Sequence, residues 1–452
     1  VQFGIMSTSP GSSPPSDASP SPPTSTTALL PRLFPGTRRK PINFKALLQR
    51  RVVFGAFAIM VPAIVLITCL SVLLPQRSSA QSQRTVSRGS GDFDPIISHL
   101  SATFSLTKDR RDEAHPDRKL AVTMFFPEQK DRCKRHCSVP YMPDRTAKVT
   151  NAQFFGDENA GVFDKIEYNA CCEVNHDLDL SNVIPVVMTP QVGSSRFLYG
   201  GIAQDIVSHG FAVLLIDHPH DGSIVEWNDG KENCTFMSKL DLNPFGLVET
   251  WNQTIDDAID TQEINIRAVV DRLSDSAFVG QLFGPSFKVN GAFNTDKVGL
   301  VGHGIGGTTV TKMSASDAES FPISVNMAGS PPEITEDVHS DVVFLGRQEH
   351  RRENDIYWPA VWPRIRGKAN EWTMARAGLF DYSDVPKIID IVQRQGDVKG
   401  LGTLRRREAF EIAAQWPRAH LGLHFYGLRR AQELVDLANS YMGVDMKPYP
   451  GA

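Results

Sequence analysis

Apolar positions along the chain fall into short unbroken runs that alternate with stretches of helical spacing, most regularly between residues 118 and 445. Lys119 to Phe126, Val183 to Met188 and Phe211 to Ile216 are runs of strand length bounded by polar residues. Between the last two, Leu198, Ile202 and Ile206 recur at helical spacing over Ser195 to Ser208, and His209-Gly210 is a stop signal. Ile255, Ile259, Ile266, Val269, Val270 and Leu273 share one face of a longer predicted helix. The stretch KVGLVGHGIGGTTV (Lys297 to Val310) then sets a short strand, Val298 to Val301, before a glycine-dense turn that opens a helix. Further strands are predicted at Ile323 to Met327, Val342 to Leu345 and Glu371 to Ala375, and Tyr426 to Met442 reads as a closing amphipathic helix. Strands alternating with helices predict an α/β fold whose mostly parallel sheet is covered on both faces.

The N-terminal segment follows a different rule. Residues 1 to 36 are rich in Ser, Thr and Pro and lack the apolar surface to fold alone, so disorder is predicted there. Arg38, Arg39, Lys40, Lys45, Arg50 and Arg51 form a basic cluster, and Val52 to Leu74 then runs for 23 residues without a charge. That length crosses a hydrocarbon core, tolerates Pro62, and is too long and too far from the start for a cleaved secretory signal. The expected organisation is a cytosolic tail at 1–51, a signal-anchor at 52–74, a polar linker at 75–92 and an α/β domain at 93–445. Residues 1–51 hold 7 basic residues against Asp17 alone, which puts the N-terminus in the cytosol and the domain in a lumenal or extracellular space, a single-pass type II arrangement. The remaining chain has 40 basic and 50 acidic residues, which argues against nucleic acid as its partner.

Cysteine usage fits an oxidising compartment. Cys133 and Cys137 are expected to bridge to Cys171 and Cys172, leaving Cys234 over. Cys133, His136 and Cys137 could be half a zinc site, but no second pair completes it, so no metal or cofactor is expected. Asn233 and Asn252 open glycosylation sequons that suit the same compartment.

Two stretches narrow the fold class to a family. IPVVMTPQVGSSRFLYGGIAQDIVSHGFAVLLIDHPHDGSIVEWNDG, from Ile184 to Gly230, resembles the platelet-activating-factor acetylhydrolase family, the 1-alkyl-2-acetylglycerophosphocholine esterases. There a strand, a P-G-x-G loop, a helix ending S-H-G and a D-H-P-Y-D motif follow one another. YMPDRTA, from Tyr141 to Ala147, is flanked by cysteines as in secretory-pathway members. With the turn at Gly302 to Gly306, which resembles the G-x-S-x-G nucleophile elbow of α/β-hydrolases, the resemblance covers residues 118 to 445. It implies an α/β-hydrolase fold, hydrolysis of short or oxidised sn-2 acyl chains from phospholipids, and no need for a metal.

Such hydrolysis needs a hydroxyl nucleophile, an imidazole base and a carboxylate to hold the base. By the resemblance, the family's serine falls at Gly304, its acid at Ala328 within Asn326 to Gly329, and its histidine at Leu379, three residues before Tyr382-Ser383-Asp384. None of these can attack or move a proton. The oxyanion donors would be the backbone amides of Ile305 and Val192, but Gln191-Val192 stands where the family has Gly-Leu. His218, His220, His303, Ser194, Ser195, Thr308 and Thr309 are the other candidates, and no replacement nucleophile with a base at a recognisable spacing is found among them. The basic and aromatic stretch from Arg347 to Trp372 is a candidate surface for anionic lipid or a protein partner. The expected function is that of a catalytically silent, membrane-anchored member acting as a lipid-binding or protein-interaction module. The alternative is an active esterase or phospholipase of unusual mechanism.

Overall fold

Nine strands form the central layer of the computed structural model, which describes residues 84–86, 89–104, 118–227, 234–236, 251–427, 431–441 and 444–447. In chain order they are β1 (Phe93–Phe104), β2 (Arg118–Gln129), β3 (Pro185–Thr189), β4 (Ala212–Asp217), β5 (Gly299–His303), β6 (Ile323–Met327), β7 (Asp341–Arg347), β8 (Ala369–Met374) and β9 (Val444–Lys447). Their order across the sheet is β9-β8-β7-β6-β5-β3-β4-β2-β1. The six strands from β4 to β8 run parallel, while β1, β2 and β9 pair antiparallel at the two edges. β3, β4, β5 and β6 are buried at every position, which is why they read as continuous apolar runs with no alternation. The edge strand β1 alternates less cleanly and carries Pro95, and its position at the sheet's margin accommodates both features.

Helices cover both faces. α1 (Asp144–Phe155), α2 (Gly200–Val207) and α5 (Arg406–Tyr426) pack on one side, burying Phe154, Ile202, Trp416 and Leu421. On the other side α3 (Gln253–Leu273) and α4 (Ile305–Ser316) bury Ile266, Val269, Leu273, Val310 and Met313 against Leu214, Ile216 and Leu300. Each of these aliphatic side chains contributes roughly 1.5–3 kcal/mol by leaving water. α3 begins at the sequon residue Asn252, whose exposed side chain caps the helix by accepting the Ile255 amide at 3.2 Å.

The chain lays down β3, turns to β4 on one side, and later returns with β5 on the other. The sheet's direction of winding therefore switches between β3 and β5. In open α/β sheets the crevice at the carboxyl ends of such strands is the natural place for a ligand.

Some expectations need correction. The closing helix does not run from Tyr426 to Met442. α5 ends at Tyr426 with Gly427 at φ 73°, and a second helix, Ala431–Ser440, follows before β9. The tryptophans of the basic and aromatic stretch do not lie on the surface: Trp358, Trp362 and Trp372 are 1%, 4% and 5% exposed. Trp358 and Trp362 pack with Phe344 in a small core, and Arg352 stacks over Trp362 at 4.6 Å while pairing with Glu371 at 3.0 Å. Part of the expected linker is a short strand, Arg84–Val86, paired with Ile166 to Tyr168.

The cysteines pair across an antiparallel ladder of Arg135–Pro140 and Ile166–Glu173, as Cys133–Cys171 and Cys137–Cys172, with Cα separations of 5.7 and 6.0 Å. Both thiols of the half zinc site are thereby used, and His136 Nε2 lies 2.8 Å from Asp94 Oδ2. The expected tail, membrane span and Asn233 lie outside the described residues. Among the described residues, no helix is long and apolar enough to cross a membrane.

Candidate active site

The turn between β5 and α4 has the geometry of an elbow. Gly304 sits at its tip with φ 55° and ψ −122°, and its amide donates to Met327 O at 2.8 Å. A Cβ at Gly302 would overlap the Gly306 backbone, and one at Gly306 would press on Thr189 and Pro190, so the flanking glycines are required by close approach of backbone to backbone.

A Cβ at Gly304 would overlap the carboxamide of Gln191. That side chain reaches across from the loop after β3, and its Oε1 accepts the Ile305 amide at 3.0 Å. The oxyanion donor expected at Ile305 is therefore present but already bonded, and the place of a nucleophile is filled by the same carboxamide. The loop is held firmly. Gln191's own amide donates to Tyr199 OH at 3.0 Å, and Tyr199 meets His303 Nδ1 at 2.8 Å. Val192, the other expected donor, is 2% exposed, with its side chain among Ile255, Ile259 and Ile305.

The other two positions arrive in the segments that follow β6 and β8. Ala328 follows β6 at φ 56° and gives its amide to Leu345 O at 2.9 Å. A Cβ on the next residue, Gly329, would overlap Gly304 O, so the β6 loop touches the elbow. Leu379 starts a short 3-10 turn, Leu379–Tyr382, and its backbone lies against the His303 ring. Position 379 thus has its backbone beside His303, position 328 precedes the residue that touches the elbow, and positions 304, 328 and 379 are all buried and apolar or empty.

Several hydroxyls do meet imidazoles here. His218 takes Thr189 Oγ1 at 2.7 Å on one nitrogen and Asn265 Nδ2 at 3.0 Å on the other, fixing the loop after β4. Thr308 Oγ1 donates to Ser330 O at 2.6 Å, and Thr309 Oγ1 to Gln262 Oε1 at 2.9 Å, so neither is poised to attack. Ser195 caps the 3-10 turn at Arg196, Ser194 gives its amide to Gln191 O at 3.0 Å, and His220 sits in a tight turn at φ 71°.

Motif spacing did not reveal Ser330, His350 and Asp355. Ser330 Oγ lies 3.1 Å from His350 Nε2, and Asp355 Oδ2 lies 2.6 Å from the same nitrogen. In a proton relay the hydroxyl and the carboxylate occupy opposite ring nitrogens. Here both crowd Nε2, and Nδ1 is buried without a partner among the described residues. Asp355 also accepts the amides of Tyr357 and Trp358, at 3.0 and 2.9 Å. The cluster therefore anchors the loop after β7.

Two motif residues prove structural. Asp384, in the signature after Leu379, accepts Gly201 N at 2.6 Å, Ile202 N at 3.1 Å and Tyr141 OH at 2.9 Å. It ties the Tyr141 motif to the start of α2, and burial pushes its carboxyl up to about 7. Their shared membership of the quoted motifs was the only sequence signal.

Buried imidazoles set a pH dependence. Burial holds His99, His303 and His420 neutral, each lowered to about 3. Between about 6.5 and 3 the unfolded chain binds protons that the native protein refuses, so these groups make stability fall as pH falls. Asp381 and Asp384, raised by burial to about 6 and about 7, act in the opposite sense from about pH 4 upward. His420 accepts Trp372 Nε1–H at 2.9 Å, an acceptor that glutamine can imitate. His420→Gln is expected to flatten the slope of unfolding free energy below pH 6.5 by about 1.4 kcal/mol per pH unit. Urea titrations at pH 4, 5 and 6 measure it, and an unchanged slope would refute the assignment.

No family model matches the chain. A probable 1-alkyl-2-acetylglycerophosphocholine esterase from Arthroderma benhamiae is 25% identical over 356 residues, covering 72% of this chain and 82% of that protein. A ferulic acid esterase from Streptomyces cinnamoneus matches in structure with a TM-score of 0.59 and 18% identity, over 76% of this chain and 94% of that one. The chain has an α/β-hydrolase-like fold and is distantly homologous to an esterase of the platelet-activating-factor acetylhydrolase type.

Proposed function

We propose that this chain keeps an esterase scaffold without hydrolysing esters, and serves as a lipid-binding or protein-interaction module. In this reading residues 52–74 anchor it to a membrane, and the domain faces a lumenal or extracellular space. The observation that carries the reading is Gln191 Oε1 on the Ile305 amide above a glycine. With Gly304, Ala328 and Leu379 at the three reactive positions, the loss corresponds to roughly 10⁶ in kcat by analogy with a protease stripped of its triad. Glycine at 304 also relieves the backbone strain that an elbow imposes on any other residue, of order 1–3 kcal/mol.

The second reading is an active carboxylic ester hydrolase acting on 1-alkyl-2-acetylglycerophosphocholine-like lipids. The cluster of Ser330, His350 and Asp355 is the observation in its favour. Release of acetate from a short-chain sn-2 phospholipid separates the two. The purified protein is expected to match both buffer and its Ser330→Ala variant, whereas turnover lost in Ser330→Ala establishes the second reading.

A further inference from the structure

The acceptor sequon Asn252-Gln253-Thr254, set at the start of α3, lies open in the fold. Trp251 before it is half-buried, its own three residues are exposed, and Ile255 after it is 1% exposed. None of the three side chains packs inward. Gln253 Nε2 meets Asp257 Oδ1 at 3.0 Å at the surface, and the Thr254 hydroxyl has no hydrogen-bond partner among the described residues.

Asn252 is the residue such a sequon modifies, and the helix uses only one of its two amide atoms. Its backbone is extended, φ −146° and ψ 170°, and its Oδ1 accepts the Ile255 amide at 3.2 Å. Nδ2 has no partner among the described residues. An N-linked sugar is attached through that nitrogen and leaves the carbonyl oxygen in place, so cap and glycan are compatible on one side chain. Ile255 in turn packs in a small cluster with Val192, which follows β3, and Ile305, which follows β5. The sequon therefore stands at the carboxyl edge of the sheet, on the same side as the elbow.

We infer that Asn252 carries an N-linked oligosaccharide at that edge. A bulky, hydrated group there displaces no contact of the fold, and its root is one helical turn from the residue that packs on Val192 and Ile305. In the transfer, Nδ2 bonds to the anomeric carbon of an oligosaccharide carried on a polyprenyl diphosphate. The bond from that carbon to the diphosphate oxygen breaks, the lipid diphosphate leaves, and one amide proton passes to a base of the transferase. The inference rests on the reading above that the domain faces a lumenal or extracellular space, and the Cys133–Cys171 disulfide reports on that reading separately.

The test is peptide mass spectrometry, without reduction, of the full chain made in a eukaryotic secretory host, before and after glycan release by peptide-N-glycosidase F in heavy-oxygen water. Release converts a modified asparagine to a heavy-oxygen-labelled aspartate, and the label is expected at position 252. Thr254→Ala and Asn252→Asp are expected to lose the glycan, and Thr254→Ser to keep it. Asn252→Asp keeps an N-cap acceptor and Thr254→Ala keeps Asn252 itself, so both are expected to fold, as circular dichroism checks. An unlabelled Asn252 beside an intact Cys133–Cys171 link overturns the site alone, as does a label that survives Thr254→Ala. An unlabelled Asn252 with both cysteines reduced overturns the lumenal reading and the site with it.

Discussion

A variant carrying Gly304→Ser, Ala328→Asp and Leu379→His is expected to remain near background on a short-chain ester. Adding Gln191→Gly is expected to raise kcat/KM by about 10² or more. The reason lies in the loop after β3. A side chain at position 304 collides with the Gln191 carboxamide, and even if that carboxamide swings aside it stays tethered next to the Ile305 amide it now bonds. Removing one oxyanion donor from a working hydrolase costs about 10²–10³ in kcat, so freeing this amide should matter on that scale once a nucleophile exists. Ala328 already holds φ 56°, so aspartate there meets no new backbone conformation, whereas serine at 304 accepts strain of order 1–3 kcal/mol. Steady-state rates for the triple and quadruple variants, with circular dichroism to confirm folding, decide the matter. Equal rates would show that Gln191 is not the obstruction, and a folded, silent quadruple variant would show that the three positions are misassigned.

Asp217→Ala is expected to cost 3–5 kcal/mol or to prevent folding. Asp217 and Arg196 are fully buried, and their carboxylate and guanidinium are in direct contact. Asp217 Oδ1 also accepts the Arg196 amide at 2.6 Å, and Arg196 Nε donates to Thr123 Oγ1 at 2.8 Å. Burial raises the Asp217 carboxyl despite the opposing pull of Arg196, so the pair is held at an energetic cost. Deleting one partner leaves the other charge stranded, whereas the double change Arg196→Met, Asp217→Leu should recover most of the loss. Urea denaturation of the wild type and these two variants reads this directly, and a single-mutant cost under about 1 kcal/mol would contradict it. The pair matters to the site because it fixes the segment between Gln191 and α2.

Much of this was legible from the chain. The buried parallel strands announce themselves as apolar runs, and β6 begins and ends where the pattern places it. α5 was hidden because Pro417 and its mixture of alanine, arginine and histidine blur the helical period, although burial of Trp416 and Leu421 overrides that weak local signal. The tryptophans between residues 347 and 372 misled for a related reason. Basic residues interleaved with aromatics look like a surface, but Arg352 covers the edge of a core that Trp362 fills.

At the site, the positions of Gly304, Ala328 and Leu379 followed from motifs. The role of Gln191 did not, because it depends on a side chain crossing from one loop to another. Its only trace was the departure from Gly-Leu at 191 and 192.

The central claim is that no side chain of this protein acts as an activated nucleophile. Its most direct test is the intact mass of the purified protein after incubation with a fluorophosphonate. The mass is expected to stay unchanged, and a stoichiometric adduct on any serine or threonine, Ser330 above all, would contradict the account.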